Sequence, residues 1–401
     1  MTASEKNKRH KVVVIGGGYS GALAANHLRL GDDIDITLVN PRSEFVERVR
    51  LHQLAAGTRD ATVGFDTILA DDVRLVVDTA TRIDTRARTV HLASGDTLDF
   101  DYAIYAVGST GSIPSSVPGA RDFAVSVAEL ESARRIRAAL ETLPQDAPIT
   151  VVGGGLTGIE TAAELAEQGH RVTLVGGGAI AASFSAASRR YISTWLERHH
   201  VWVFESEKVT EVRSDAVVLD DGTVRASALT IWTTGFGTPQ LAAASGLTTD
   251  DLGRLLTDET LTSVDDDRIV ATGDAAAPSG HPVRMSCQAA GPLGAQAADT
   301  VLSRVAGSEP KLLDVALTGS CVSLGRRAAV RQFAHKDDSS TNMSLTGPLG
   351  VAYKEFTSWF SVRRIRIESR RPGLLPWPKG GPRPQQAVRA TRQNTAATNR
   401  A

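Results

Sequence analysis

The apolar positions fall into two blocks that repeat one pattern. Residues 11–15, "KVVVI", run apolar and β-branched without alternation, which predicts a strand buried on both faces. A glycine turn (16–21) and the small-residue helix "SGALAANHLRL" follow, and "IDITLVN" carries a second strand to Asn40. "YAIYAVGS" (102–109) predicts a further buried strand closing in a glycine turn. "SIPSSVPGA" (112–120) predicts a linker, and residues 127–143 a helix. The pattern then recurs: "ITVVGGGLTGIE" (149–160), "HRVTLVGGG" as the second strand, and "ALTIWTTGF" (228–236) as the late one.

Beyond the repeat, "DDRIVATGDAAAPSG" (266–280) predicts a strand with Gly273-Asp274 at its carboxyl end. "GPLGAQAADTVLSRVAG" predicts a helix entered through Gly291-Pro292, since proline is best tolerated in the first turn. Past residue 310, "LLDVALTGSCVSLGRRAAVRQF" predicts short antiparallel strands and "VAYKEFTSWFSVRRIRI" an amphipathic element. From Ser369 onward the chain is rich in Pro, Gly and polar residues and is expected to be mostly disordered. The predicted fold class is α/β: two Rossmann-like dinucleotide-binding domains with a small C-terminal α+β region.

The turns suggest the chemistry. In a strand–G-x-G-x-x-G–helix unit the first glycine allows the bend, the second admits a pyrophosphate, and the third lets helix and strand pack. The helix N-terminus then offers free N–H groups and partial positive charge. Gly16, Gly18 and Gly21 fit this pattern, as do Gly153, Gly155 and Gly158. Two cradles imply two dinucleotides, one a flavin and one a nicotinamide. Asp274, at a strand end, is the candidate for the hydroxyls of a flavin's ribityl chain. Tyr19, Ser20 and the turns at Gly108 and Gly235 complete the candidate cofactor-binding set. At the ribose position the first unit has Asn40, which accepts one hydrogen bond without charge. The second has Gly176, which leaves NADH or NADPH open; Arg189 and Arg190 are the nearest cations.

Composition narrows the partners. Of the 401 residues, 42% are hydrophobic and 22% charged, as in ordinary soluble proteins, and the formal net charge of -1 predicts no nucleic-acid partner. Cys287 and Cys321 are the only cysteines and form no C-x-x-C motif, which argues against a redox dithiol or a zinc site. "MTASEKNKRHK" lacks the apolar run of a secretory signal, so a cytoplasmic location is expected.

Taken in order, "VVIGGGYSG", "YAVGS", "VVGGGLTGIE", "WTTGF" and "ATGDAAA" resemble a pyridine nucleotide-disulfide oxidoreductase-type flavoprotein of the glutathione-reductase structural class. Within that class the chain is similar to type II NADH:quinone oxidoreductases and apoptosis-inducing-factor-like reductases. The resemblance implies FAD on residues 1–112 and 253–310, with an NAD(P)H-binding domain (113–252) inserted between them. A C-terminal region (311–368) and a tail (369–401) follow. It implies a role near the nicotinamide for Glu160, whose other reading is a first-turn carboxylate facing the helix dipole. It places "FVERVRLHQLAAG" beside the flavin, so that Arg42, Arg50 and His52 are candidates to touch cofactor or acceptor; a structural hydrogen bond is the other reading of His52. Gln288 is the candidate below the flavin ring, where a helix N-terminus also favours reduced flavin.

The implied activity is hydride transfer from NAD(P)H to FAD, then electron transfer to a small-molecule acceptor, foremost a quinone. Other readings are an acceptor that is a small protein carrier or specialised metabolite, and a redox-sensing flavoprotein with little turnover. Self-association into a homodimer is left open. Lys354 to the end holds eleven Lys or Arg against two Glu, so Trp359, Phe360, Val362, Ile365 and Ile367 beside Arg363, Arg364 and Arg366 form a candidate peripheral contact with the inner face of a membrane. Packing of Trp359 and its neighbours onto the protein is the alternative.

Overall fold

The computed structural model describes residues 9–381 and 383. In chain order the first unit supplies β1 (His10–Ile15), α1 (Tyr19–His27), β2 (Ile34–Asn40), β3 (Val73–Val77) and β4 (Tyr102–Tyr105). The second supplies β5 (Ala124–Ser126), α2 (Leu130–Thr142), β6 (Pro148–Val152), α3 (Leu156–Glu167), β7 (Arg171–Val175), β8 (Trp202–Phe204) and β9 (Leu229–Trp232). Then come β10 (Ile269–Ala271), α4 (Cys287–Val305), β11 (Gly319–Leu324), β12 (Ala328–Ala334), β13 (Ser340–Thr346) and α5 (Gly347–Arg370).

Two five-stranded parallel sheets organise these elements. The first runs β10-β4-β1-β2-β3, with Val12 level with Ile36 on one side and Tyr102 on the other. The second runs β5-β9-β6-β7-β8, with Ile149 between Val172 and Leu229. Both middle strands have neighbours on each edge and are covered on both faces, by helices on one and chiefly by a three-stranded antiparallel sheet (residues 80–99 or 209–226) on the other, which explains their unbroken apolar runs. The first sheet takes its last strand from residues 269–271, after the chain has completed the second.

Small residues allow close helix packing beneath the first sheet. A Cβ at Gly294 of α4 would lie 2.4 Å from the Ser20 carbonyl oxygen of α1. α4 begins at Cys287, not at Gly291: the Ser286 side chain accepts from the Ala289 N–H and caps the helix four residues before the expected start. Pro292 therefore lies inside the helix and leaves the Gln288 carbonyl without its usual N–H partner.

β11, β12 and β13 form the expected antiparallel sheet, with Val322 opposite Val330. Val322, Leu324 and Val330 join the core of the second unit, whereas Val362 and Ile365 of α5 join that of the first. The C-terminal region thus clamps both sheets.

The expectation of a mostly disordered segment from Ser369 is corrected as far as residue 383. Trp377 packs on the first core, the Gly380 and Gly381 N–H groups donate to Asp314 at 2.8 and 2.9 Å, and Arg383 pairs with Glu259 at 3.0 Å. Residues 382 and 384–401 of that expectation lie outside the described residues.

Candidate cofactor and acceptor site

The two glycine turns have the same steric logic. Gly16 and Gly153 are in the left-handed region, at φ 106° and 126°. A Cβ at Gly21 would sit 1.8 Å from the Gly16 carbonyl oxygen, and one at Gly158 would sit 1.9 Å from that of Gly153. Neither third glycine tolerates a side chain. Gly18 and Gly155, the N-caps of α1 and α3, differ: a Cβ on either would meet nothing within 4 Å. Each therefore faces open space in front of a helix N-terminus, the shape that admits a pyrophosphate.

A cavity of about 950 Å³ opens from the first turn. Gly16, Gly18, Tyr19 and Ser20 line one end, together with Asn40, Arg42, Gly108 and Asp274. The second unit contributes Leu156, Thr157 and Glu160, and the C-terminal region contributes Arg331, Tyr353 and Lys354. Gly273, at φ 66°, turns the chain after β10 so that Asp274 reaches the cavity, where Ser109 Oγ donates to it at 2.7 Å. Gly235, at φ 75°, makes the matching turn after β9; a Cβ there would meet the Ser112 carbonyl oxygen at 2.6 Å.

Several predicted residues are already occupied within the protein. The Asn40 side chain accepts from the Gly17 N–H at 2.9 Å and donates to the Arg42 carbonyl at 2.7 Å, so it braces the glycine turn. Arg42 makes a two-pronged pair with Glu131 at 2.7 and 2.6 Å. Arg50 is buried and does not line the cavity; it binds Glu47, Gln53 and Glu355, which corrects its placement beside cofactor or acceptor. Its neighbour Arg48 lines the cavity instead and donates to the Ser109 carbonyl.

Glu160 is the centre of a buried charge cluster. Lys354 Nζ lies 2.6 Å from its Oε1, which also accepts from the Ser323 N–H at 2.9 Å and Oγ at 3.1 Å. Burial pushes the Glu160 carboxyl up, but Lys354 and these donors outweigh it and hold the group below its ordinary value. Lys354 is raised, because Glu160 overcomes the opposing effect of burial. His52, 3.7 Å from Glu160, is pushed down to about 4 by burial and stands neutral at pH 7. Glu160 is the fifth residue of α3, past the first turn, which corrects the reading of a first-turn carboxylate; it serves a tertiary ion pair. Sequence reasoning missed Lys354; its one signal is a lysine on the inward stripe of α5.

Gln288 lines the cavity at the start of α4. Its oxygen accepts from the Thr318 hydroxyl at 2.6 Å and N–H at 3.1 Å, while its nitrogen donates to the Gly319 carbonyl at 3.1 Å. Tyr19 lines the same cavity, and its hydroxyl is sealed from water without a partner.

The pyridine nucleotide-disulphide oxidoreductase family matches residues 10–294, more than half of the chain and all of both glycine units. The chain belongs to this family. As a member of the pyridine nucleotide-disulphide oxidoreductases it is a flavoprotein NAD(P)H dehydrogenase. It is 28% identical to the NADH dehydrogenase-like protein Rv1812c of Mycobacterium tuberculosis, over 80% of this chain and 87% of that one. It is 29% identical to the demethylphylloquinone reductase NdbB of a Synechocystis species, over 67% of this chain and 72% of the relative. Among solved structures, NDH2 from Plasmodium falciparum in complex with NADH shares the fold. The TM-score is 0.75 at 15% identity, over 91% of this chain and 99% of that one.

Distant in sequence, Cys287 and Cys321 both line the cavity. Burial pushes both thiols up, so each is protonated at neutral pH and a poor nucleophile.

Proposed function

We propose that the first cradle holds FAD, the second holds NADH or NADPH, and the reduced flavin is reoxidised by a quinone. The observation that carries this reading is one cavity shared by the first glycine turn, Asp274 and the start of α3. It brings a flavin-shaped socket against the helix that follows the second turn. When bound, the flavin supplies the two-electron chemistry, so no side-chain nucleophile is required.

The chain's own groups bind and orient. Backbone N–H groups at Gly18 and α1 face one pyrophosphate, and those at Gly155 and α3 the other. Asp274 accepts from ribityl hydroxyls, with Ser109 fixing the carboxylate. Gln288, held at both ends of its amide, acts as a positioning residue for the wall formed by Thr318 and Gly319. Glu160, kept ionised by Lys354, orders the floor where the two units meet.

At the end of β7, where a ribose carboxylate would stand, the chain has Gly176. A Cβ at Gly176 would meet the Gly178 and Glu205 carbonyl oxygens at 2.7 and 2.8 Å, so that position is closed to any side chain. Both nicotinamides are therefore expected as donors.

Peripheral membrane contact belongs to the same reading. Among the described residues no helix is long and apolar enough to cross a membrane. On α5, Val362 and Ile365 point into the core, which corrects their place in the candidate membrane face. The exposed stripe is instead Leu349, Phe356 and Trp359, at 68%, 55% and 52% exposure, followed by Arg363. An apolar stripe ending in a cation suits the plane of an anionic bilayer.

The test is chromatography of the cofactor released on denaturation, followed by anaerobic reduction with each nicotinamide and reoxidation by a quinone panel. FAD, bleaching by both donors and prompt reoxidation are expected. Released FMN, or a flavin that quinones leave reduced, overturns the reading.

A further inference from the structure

Of the arginines among the described residues, Arg50 and Arg331 are buried. Arg50 has Glu47 and Glu355 as counter-ions. Arg331, only 3% exposed, has no carboxylate within 4 Å among the described residues. Its Nη2 donates to the Thr318 carbonyl and hydroxyl at 2.7 and 2.8 Å, and Nη1 makes one long contact of 3.9 Å with Cys321 Sγ. Nε is sealed from water without a partner. The guanidinium carbon lies 4.8 Å from the Tyr353 ring and 5.0 Å from the Phe333 ring.

Burying a cation without its counter-ion is costly. Two aromatic faces offset part of that cost through cation–π contact. The hydrogens on Nε and Nη1 still have no oxygen acceptor. Of the other cavity cations, Lys354 is held by Glu160, Arg42 by Glu131 and Arg284 by Asp338; Arg48 and Arg364 donate to the carbonyls of Ser109 and Pro376. Arg331 is the buried charge left for an occupant, and it lines the cavity beside Gln288 and Tyr353.

We propose that Arg331 selects the electron acceptor by binding an anionic oxygen substituent, so that the preferred quinone carries an ionised ring hydroxyl or a carboxylate. The inference rests on the quinone reading above and names the class of quinone. The substituent is a handle and stays unchanged: NADH, one proton and the quinone give NAD+ and the quinol. Arg331 also donates to the same Thr318 hydroxyl that donates to Gln288, so one hydrogen-bonded row links the charge to the start of α4. A neutral side chain at 331 would break that row and remove the anion's partner.

The experiment compares 2-hydroxy-1,4-naphthoquinone, ionised at neutral pH, with uncharged 2-methyl-1,4-naphthoquinone. Both are measured on the flavin-loaded protein by steady-state kinetics and by calorimetric titration of the oxidised form. The wild type should bind the ionised quinone more tightly. In Arg331→Met the ratio of kcat/KM, ionised over uncharged, should fall about ten- to hundredfold, the worth of one charged hydrogen bond. Arg331→Lys should recover part of that ratio. An unchanged ratio in Arg331→Met overturns the proposal. Should Arg331→Met fail to fold, a wild type that binds the ionised quinone no more tightly than the uncharged one overturns it equally. A wild type whose NADH-reduced flavin is reoxidised by neither quinone sinks the broader acceptor reading, and calorimetry still judges Arg331.

Discussion

Lys354 Nζ lies 2.6 Å from Glu160 Oε1, joining the last helix of the described chain to the second turn of the helix behind the second glycine cradle. Both side chains are largely buried, 13% and 9% exposed, so little water can replace a lost partner. Breaking such a pair from one side costs about 3–5 kcal/mol, because the survivor stays charged and desolvated.

Glu160→Gln and Lys354→Met should therefore each lower unfolding stability by about 3 kcal/mol. The double variant should lose clearly less than the two losses added together, because it strands neither charge. Urea unfolding of the four flavin-loaded proteins measures the coupling. Additive losses would mean that the two groups do not depend on each other.

Gly155→Val should abolish flavin reduction by NADH and leave bound flavin in place. The backbone at Gly155 sits at φ -76°, and nothing lies within 4 Å of a new Cβ, so the fold tolerates the change while the cradle is blocked. Anaerobic stopped-flow, with dithionite reduction as the control, is the measurement. Loss of the flavin itself would reverse the assignment of the two cradles.

His27 predicts a pH dependence of stability. Burial disfavours its charged ring, but hydrogen bonds to Asp299 at 3.0 Å and Glu368 at 2.5 Å prevail and raise it to about 9. The folded state then keeps a proton that the unfolded chain releases near 6.5. The stabilisation is complete below pH 6.5, declines as pH rises and is gone above 9, a total of about 3 kcal/mol. Thermal unfolding between pH 6 and 10 should show a wild-type slope that His27→Gln flattens. Parallel curves would remove His27 as the cause.

Local chemistry made the two cradles legible in the sequence, because Gly16 and Gly153 turn the chain at positive φ and Gly21 and Gly158 are required by contacts within their own turns. The misreadings arose where a distant partner decided the outcome. Ser286 set the start of α4 and overrode the signal from Pro292. Trp377 and the glycines after it look like linker until Asp314 and the first core are there to receive them. Arg50 read as a candidate to touch cofactor or acceptor, and only the folded chain, with Glu47 and Glu355 around it, shows that it is buried in ion pairs. Arg331 gave no signal, since "RAAVRQF" reads as an ordinary strand with solvent-facing arginines.

The wall that α5 supplies has a consequence for how the protein is made. Synthesis runs from the N-terminus, and early units fold as they emerge. Both glycine turns and Glu160 leave the ribosome well before Lys354 does. During that interval Glu160 has no cation, because the pair waits for α5, so a chain cut short of Lys354 would carry the carboxylate unpaired.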